Sequence, residues 1–159
     1  EWQLSTVQID MVQPERFELE YTAADGTKAR PVMIHRAILG SSERAMMVLL
    51  EHYAGALPLW LSPVQVSLLP ISENELSYTQ ELGSSLNRAG IRVEVDESNR
   101  TLGKKMVRAR EQKVPYMAII GKTELENKTI TLKNRAGEQI TLTLDEAIAK
   151  LTQEVLSKV

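Results

Sequence analysis

The stretch VQVSLLPISENELSYTQELGSSLNRAGIRVEVDE, residues 64–97, gives the clearest indication of how the second half of the chain folds. VQVSLLPI is a nearly continuous apolar run, which is typical of a strand buried on both faces. Ser72 and Glu75 have the spacing of a capping box and predict a helix that ends at Gly90. IRVEVDE then alternates apolar and charged residues, as a strand does. Strand, helix and strand in this order predict parallel strands joined by a crossover helix.

The remainder of the second half continues this alternation of elements. TLGKKMVRAREQK predicts a helix and YMAIIG a short apolar strand, whereas TITLKNR and EQITLTL predict a hairpin around an Ala-Gly turn. DEAIAKLTQEVLSK has apolar residues at helical spacing and predicts a closing helix. The fold class is therefore α/β, with a largely parallel sheet and helices packed on it.

The first half has a different pattern. Residues 1–37 are interpreted as strands, among them FELEY, whose apolar residues alternate with acids, and KARPVMIHRAI after an Asp-Gly turn. A helix is predicted from about Ser42 to Tyr53. The following GALPLWLSP contains two prolines and is typical of a domain boundary. The predicted division is a first domain over 1–56, a linker over 57–62 and a second domain over 63–159.

The composition excludes several kinds of protein and site. A net charge of −2 gives no overall attraction to nucleic acid, so any RNA binding requires a local patch. The absence of cysteine excludes disulfides, thiolate zinc sites and a cysteine nucleophile within this sequence. No apolar run is long enough for a membrane span, and EWQLSTVQID lacks the layout of a secretory signal. We expect a cytoplasmic protein and, because the sequence starts in mid-pattern without Met, a piece of a longer chain.

A polar cluster precedes the helix of the first half. Ser41 or Ser42 can cap this helix, whose N-terminus carries unpaired N–H groups and a partial positive charge. Arg44 adds a full charge and a planar fork suited to phosphate, and Gly40 lets a ligand approach the backbone. The cluster is therefore a candidate nucleotide-binding corner. The alternative is an ordinary capped helix with a solvated arginine.

Polar residues on the predicted strands are candidates for contacts with a metal or a small substrate. His35 can bind zinc or transfer a proton, but zinc needs three or four ligands, so a structural role is the alternative. Gln3, Thr6 and Gln8 could bind a small substrate or form the solvent face of a strand.

The clearest charge bias lies between Asn99 and Lys113. The six cations there, against Glu111 alone, are Arg100, Lys104, Lys105, Arg108, Arg110 and Lys113. A basic helix beside parallel strands suits an RNA backbone, and the alternative is a solvated helix face.

Six segments together resemble the C-terminal part of the threonyl-tRNA synthetases, which are class II aminoacyl-tRNA synthetases. They are EWQLSTVQID, PERFELEY, RPVMIHRAILGSSER, EHYAGALPLWLSPVQV, AGIRVEVDESNRTLGKK and KVPYMAIIGKTELENKTITLKNR. The resemblance covers essentially the whole chain. It implies the C-terminal edge of an antiparallel-sheet catalytic domain, including the third class II motif. An α/β anticodon-binding domain with a mixed, largely parallel sheet would follow.

The resemblance also implies an activity and a set of ligands. Members of this family join threonine to its tRNA with ATP and Mg²⁺, through a threonyl-adenylate, and use Zn²⁺ to recognise threonine. His35 would be one zinc ligand, with the others upstream. Arg44 and Thr6 would be catalytic, and Gln3, Gln8 and Arg44 would bind ATP or the adenylate. The family is homodimeric, whereas we expect this piece alone to be a monomer that neither holds zinc tightly nor forms adenylate.

Four residues of the second half match positions at which the family contacts the anticodon: Asn99, Lys113, Glu124 and Lys133. Lys133 stands where an arginine is usual, which would replace a bidentate contact by a point charge. Leu4 and Ser5 stand where many relatives have Cys-Gly. A non-catalytic, tRNA-binding paralogue of the anticodon domain is the alternative function. The presence of His35 and Arg44 favours the ligase, because a binding module needs neither.

Overall fold

The structure is a computed structural model that describes residues 2–158. The chain divides into two compact units, Glu1–Glu51 and His52–Val159. Within the described residues, no helix combines the length and the apolar character that crossing a membrane requires.

The first unit is built from two small antiparallel ribbons and two helices. In chain order its elements are β1 (Thr6–Asp10), α1 (Val12–Arg16), β2 (Tyr21–Thr22), β3 (Lys28–Ala29), β4 (Met33–Ala37) and α2 (Ser42–His52). Strand β1 pairs with β4, and β2 pairs with β3. The predicted helix of the first half is thus confirmed.

The prediction of strands throughout residues 1–37 is wrong in part. A short helix, α1, follows β1 because the Asp10 carboxylate accepts the N–H groups of Val12 and Gln13 at 2.9 and 3.0 Å. FELEY is not a five-residue strand: only its last residue, Tyr21, lies on a strand, Glu18 has a φ of 52°, and the Phe17 side chain is 65% exposed. The alternation of apolar and acidic residues gave a wrong prediction here, because no neighbouring strand in the described part of the chain supplies hydrogen bonds to residues 17–20.

The second unit contains one five-stranded sheet with the order β6-β5-β7-β8-β9. Its elements are β5 (Val66–Pro70), α3 (Leu76–Arg88), β6 (Val93–Val95), α4 (Leu102–Glu111), β7 (Tyr116–Ile120), α5 (Lys122–Asn127), β8 (Thr129–Asn134), β9 (Gln139–Thr143) and α6 (Leu144–Ser157). Strands β5, β6 and β7 are parallel, and β8 is antiparallel to both β7 and β9. Four of the five strands therefore share one direction, which confirms a mixed, largely parallel sheet.

Helices cover the two faces of this sheet unequally. Helices α3 and α6 pack on one face, over a core that includes Leu68, Ala118 and Leu132. Helix α4 packs on the other face through Ala109, against Leu69 and Met117. We call this second side the α4 face. Beyond α4, over β8 and β9, the side chains on the α4 face stay partly or fully exposed, so an open area of sheet lies beside the helix.

Local signals explain where the helices of the second unit begin. The capping box is present: Glu75 accepts the N–H of Ser72 at 2.8 Å at the start of a 3₁₀ turn that leads into α3. Helix α5, which was not predicted, is only six residues long and begins with Glu124 accepting the N–H of Gly121. The stretch before the sheet also packs on this unit: Leu59 is buried, and the Gln65 side chain donates to the Leu59 carbonyl at 2.9 Å.

Candidate functional site

The first candidate site lies at the start of α2. Ser41 is the cap, because its hydroxyl accepts the N–H of Arg44 at 3.2 Å. The Arg44 guanidinium donates to the backbone carbonyl of Gln3 at 2.7 Å. The structure therefore brings together Gln3 and Arg44, which sequence analysis singled out separately. Within residues 2–158, no partner is found for the remaining guanidinium N–H groups, which could therefore bind an anion.

The expected role of Gly40 requires a correction. Its φ is +65°, and a Cβ at this position would lie 2.5 Å from the carbonyl oxygen of Leu4. The glycine is needed because the chain itself passes close to the backbone here, so the space assigned to a ligand is occupied by residue 4.

A polar face on the β1–β4 ribbon forms the second part of this site. Gln8 lies directly opposite His35 in the register, and Thr6 and Asp10 share their face by the alternation of the strand. Asp10 was missed as a site residue, although its period-two spacing from Gln8 is a usable signal. Asp10 Oδ2 lies 3.1 Å from His35 Nε2.

Asp10 therefore has two structural roles. One carboxylate oxygen caps α1, and the other contacts the imidazole of His35. The N–H of Gln13 lowers the pKa of Asp10 most, and the N–H of Val12 and the contact with His35 add to this, against an opposing effect of desolvation. A carboxylate beside an imidazole fixes the ring orientation, as is common behind histidines that bind metals.

The described residues do not form a complete metal site. Among residues 2–158, no group of three or more His, Cys, Asp or Glu side chains is arranged to hold a metal ion. His35 could contribute one ligand, and a protein zinc site requires three or four.

In the second unit, Asn99 is exposed on a turn at the carboxyl end of β6. The Asp96 carboxylate accepts the backbone N–H of Ser98 at 3.0 Å and its hydroxyl as well, which fixes the turn. A cleft of about 530 Å³ opens here, lined by Ile71, Ser72, Asn99 and Arg100 among others. Carboxyl ends of parallel strands are common places for ligand binding.

The cations of the basic run between residues 99 and 113 have different surroundings in the structure. Lys105 is buried, and its ammonium donates to the carbonyls of Pro70 and Asp96 at 3.0 and 3.1 Å. Arg108 pairs with Glu94 at 3.0 Å. The expectation that Lys105 meets RNA is therefore wrong, because a buried ammonium bound to two carbonyls is part of the fold.

Glu124 lies on α5, at the edge of the open area of sheet. One carboxylate oxygen accepts the N–H of Gly121 at 2.9 Å, and the other accepts the hydroxyl of Thr131 at 2.8 Å. Gly121 packs tightly on Ile71, since a Cβ at position 121 would lie 2.8 Å from Ile71 Cδ1. Because Ile71 also lines the cleft beside Asn99, the predicted residues Asn99 and Glu124 flank the same side chain.

Lys113 and Lys133 line a second cleft of about 480 Å³, together with Arg110 and Arg135. Lys133 shares its strand face with Thr131 by alternation and lies opposite Met117, which places it on the α4 face. The Lys113 ammonium donates to the Ala54 carbonyl, and Arg135 donates to the carbonyls of Leu57 and Lys113.

The predicted anticodon residues thus follow one surface, although they are distant in sequence. Asn99 precedes α4 and Lys113 follows it, while Glu124 and Lys133 border the open area of sheet. The surface offers amide and carboxylate groups at one end and four cations at the other. The amide and carboxylate groups can form hydrogen bonds with base edges, and the cations can neutralise phosphates.

Comparison with known families agrees with this architecture. A family model for the anticodon binding domain matches residues 65–154. A model for the tRNA synthetase class II core domain (G, H, P, S and T) matches residues 1–53.

Individual relatives are similar along nearly the whole chain. The threonine–tRNA ligase of Streptomyces avermitilis is 50% identical over 155 residues, which are 97% of this chain and 24% of that protein. The enzyme of the same name from Thermosynechococcus vestitus is 50% identical over 153 residues, 96% of this chain and 25% of that protein. The chain therefore spans about a quarter of the length of these curated relatives.

A solved structure matches the fold as well as the sequence. The crystal structure described as the RNA binding domain of threonyl-tRNA synthetase from Cryptosporidium parvum is similar with a TM-score of 0.88 and 41% identity. The match covers 96% of this chain and 39% of that one. The chain accordingly belongs to the threonyl-tRNA synthetase family, as a C-terminal portion that joins the end of a class II core to an anticodon-binding domain.

Proposed function

We propose that this chain is part of a threonine–tRNA ligase, a cytoplasmic and homodimeric enzyme that joins threonine to its tRNA with ATP and Mg²⁺. The family membership of both halves supports the proposal. Within the longer protein, the domain boundaries proposed for this piece are 1–56, a linker over 57–62 and 63–159. The first domain would supply the third class II motif, and the second would recognise the anticodon.

The proposed role of the first domain is to form one wall of the pocket for ATP and the adenylate. Arg44 would contact ATP, because its fork lies at a helix N-terminus and is already oriented by the Gln3 carbonyl. Gln3 would lie beside the nucleotide, and Thr6 and Gln8 would line the pocket from one strand. These residues bind and orient the substrates.

His35 would contribute one zinc ligand from the same polar face. The contact between Asp10 and the imidazole fits such a ligand, since it fixes the ring. Zinc, when bound, would accept the amine and hydroxyl of threonine and thereby reject valine, which lacks the hydroxyl. A hydrophobic pocket alone separates such similar substrates by only about 1–3 kcal/mol. His35 alone does not complete the site, so this 159-residue chain is expected to bind zinc weakly.

The proposed role of the second domain is to bind the anticodon loop on the α4 face. One observation supports this most strongly: Asn99, Glu124, Lys133 and Lys113 border a single surface whose central sheet area is covered by none of the described helices. Unstacked bases need exposed polar groups for their edges, and the loop backbone needs cations. The surface offers both.

Binding of the 159-residue chain to a set of tRNAs that differ only in the anticodon tests this role. We expect the threonine anticodon to be preferred roughly tenfold or more for each base read, because one bidentate base contact discriminates by about 1–3 kcal/mol. Equal affinity for all anticodons would contradict the proposal.

The catalytic role needs the longer protein. Threonine-dependent exchange of pyrophosphate into ATP should occur with the longer protein and fail with Arg44→Ala. The 159-residue chain alone should not support the exchange. Adenylate formation by the isolated chain would show that the pocket is complete without upstream residues and would overturn this part of the proposal.

A further inference from the structure

We infer that Thr131 and Thr141 are positioning residues that hold the Glu124 carboxylate in one orientation for anticodon reading. The inference rests on the proposed function, in which Glu124 contacts a base. It adds two residues that the sequence did not single out.

The three side chains form a short chain of hydrogen bonds across α5, β8 and β9. Thr131 Oγ1 lies 2.8 Å from Glu124 Oε1 and 2.9 Å from Thr141 Oγ1. The two threonines are directly opposite each other in the antiparallel register of β8 and β9. Their hydroxyls therefore meet because of the strand pairing, and neither depends on a flexible loop.

The direction of these hydrogen bonds follows from the number of protons. An ionised carboxylate only accepts, so Thr131 must donate its single hydroxyl proton to Glu124. Thr131 then has no proton left for Thr141, so Thr141 must donate to Thr131. The hydrogen bonds therefore all point in one direction, from Thr141 through Thr131 to Glu124. Hydrogen bonds in such a series strengthen one another.

This arrangement restrains a side chain that is otherwise mobile. A glutamate loses rotamer entropy when it is fixed on binding a ligand. Here the Gly121 N–H holds one carboxylate oxygen and Thr131 holds the other. Each oxygen retains a lone pair that can accept from a base edge. The base therefore meets an acceptor pair that is already oriented, which favours the correct edge over others.

Threonine suits an isosteric test. Val fits a strand as well as Thr does, so Thr131→Val removes the hydroxyl with little change in shape, and Thr131→Ser keeps the hydroxyl. Thr129 is a matched control on β8, two residues away, whose side chain makes no hydrogen bond with other residues in the described part of the chain. Urea denaturation of each variant identifies any that is destabilised.

The measurement is the ratio of affinities for tRNA with the threonine anticodon and for tRNA with one altered anticodon base, using the 159-residue chain. Thr131→Val should lower this ratio severalfold, in the direction of Glu124→Gln. Thr141→Val should lower it less, about twofold, because Thr131 can still donate to Glu124. Thr131→Ser and Thr129→Val should retain the ratio of the original chain.

The outcomes distinguish the positioning role of Thr131 from the base-reading role of Glu124. If Glu124→Gln lowers the ratio and Thr131→Val does not, the positioning role is wrong while anticodon reading stands. If Thr131→Ser lowers the affinity ratio as much as Thr131→Val does, the effect comes from packing, and the positioning role is again wrong. If Glu124→Gln itself leaves the ratio unchanged at every anticodon base, Glu124 does not read a base and the proposed function of this surface fails.

Discussion

In the first unit, the strand residues Val7, Ile9 and Ile34 are 63%, 67% and 64% exposed, whereas Val66 and Leu68 on β5, an inner strand of the second unit, have no exposed surface. Both sets are β-branched or aliphatic residues on strands. Their surroundings differ: the first unit has two two-stranded ribbons, and the second has five strands between helices on both faces.

The difference shows what a strand needs in order to contribute stability. A two-stranded ribbon has one face that its own partner cannot cover, and such hairpins are marginally stable in water. A sheet with helices on both faces removes its apolar side chains from water, at about 25 cal/mol for each Å² buried. We therefore expect the second unit to dominate the stability of this chain.

The first prediction, with the greatest change in stability, compares one apolar strand residue from each unit. Leu68→Ala should lower the free energy of unfolding by about 2–5 kcal/mol, because it leaves a cavity in a fully buried core. Ile9→Ala in the 159-residue chain should change it by less than about 0.5 kcal/mol, since the side chain is already exposed. Urea denaturation followed by far-UV circular dichroism measures both. A loss for Ile9→Ala that equals the loss for Leu68→Ala would contradict the comparison.

The next comparison concerns two neighbouring lysines on α4. Lys105→Met should destabilise the second unit by about 2–3 kcal/mol, because the buried carbonyls of Pro70 and Asp96 lose their donor. Lys104 is exposed, so Lys104→Met should leave stability nearly unchanged. It should instead weaken the binding of every tRNA and reduce the salt slope by roughly 0.7, if it neutralises one phosphate of a single-stranded loop.

Denaturation and tRNA titrations at several salt concentrations distinguish these two roles. A salt slope that falls for Lys105→Met while its stability is unchanged would mean that the ammonium meets RNA after all. A matched loss of stability in Lys104→Met would mean that the division of the basic run into structural and exposed cations is wrong.

The last prediction, with the least change in stability, concerns the dependence of unfolding on acidic pH. Burial by itself raises the pKa of Asp96, but the hydroxyl and N–H of Ser98, together with the charges of Lys105 and Arg108, outweigh it and leave the pKa below its ordinary value. Because the folded pKa is lower than the unfolded one, Asp96 stabilises the fold above about pH 4. This contribution is lost as the pH falls through the folded pKa. The Asp96→Asn variant should therefore have a lower free energy of unfolding than the original chain at pH 7. Below pH 4, its free energy of unfolding should fall less steeply with pH.

Denaturation at pH 7, 4 and 3 measures this difference. Asp10 provides the comparison from the first unit, since its pKa is also lowered, mainly by the N–H of Gln13. Asp10→Asn should have less effect on the acid dependence of the main transition, because that transition belongs to the second unit. An equal effect would mean that the two units unfold as one.

Much of the second unit could be predicted from the sequence. The strands and helices from β5 to β7 follow local signals, namely apolar runs, a capping box and helical spacing. The failures were α1, α5 and FELEY. For α1 and α5, the carboxylates of Asp10 and Glu124 accept backbone N–H groups, and a pattern of apolar residues does not record such contacts. For FELEY, the pattern could not show that a partner strand is lacking.

The candidate sites were predicted less completely. Family resemblance singled out Asn99, Glu124 and Lys133, but composition could not place them on one surface. Lys105 had the same appearance in sequence as Lys104, and only the structure distinguishes a buried ammonium from a solvated one. Thr131 and Thr141 could not be recognised at all, because their contact depends on the register of β8 against β9.

The class of fold, the order of the elements in the second half and the family could all be predicted without the structure, because they depend on local periodicity and on long, specific motifs. Only the folded structure shows which face of the sheet stays open, which cations are exposed and which hydroxyl contacts Glu124. Those properties depend on which distant residues meet, and strand register and helix packing alone determine that.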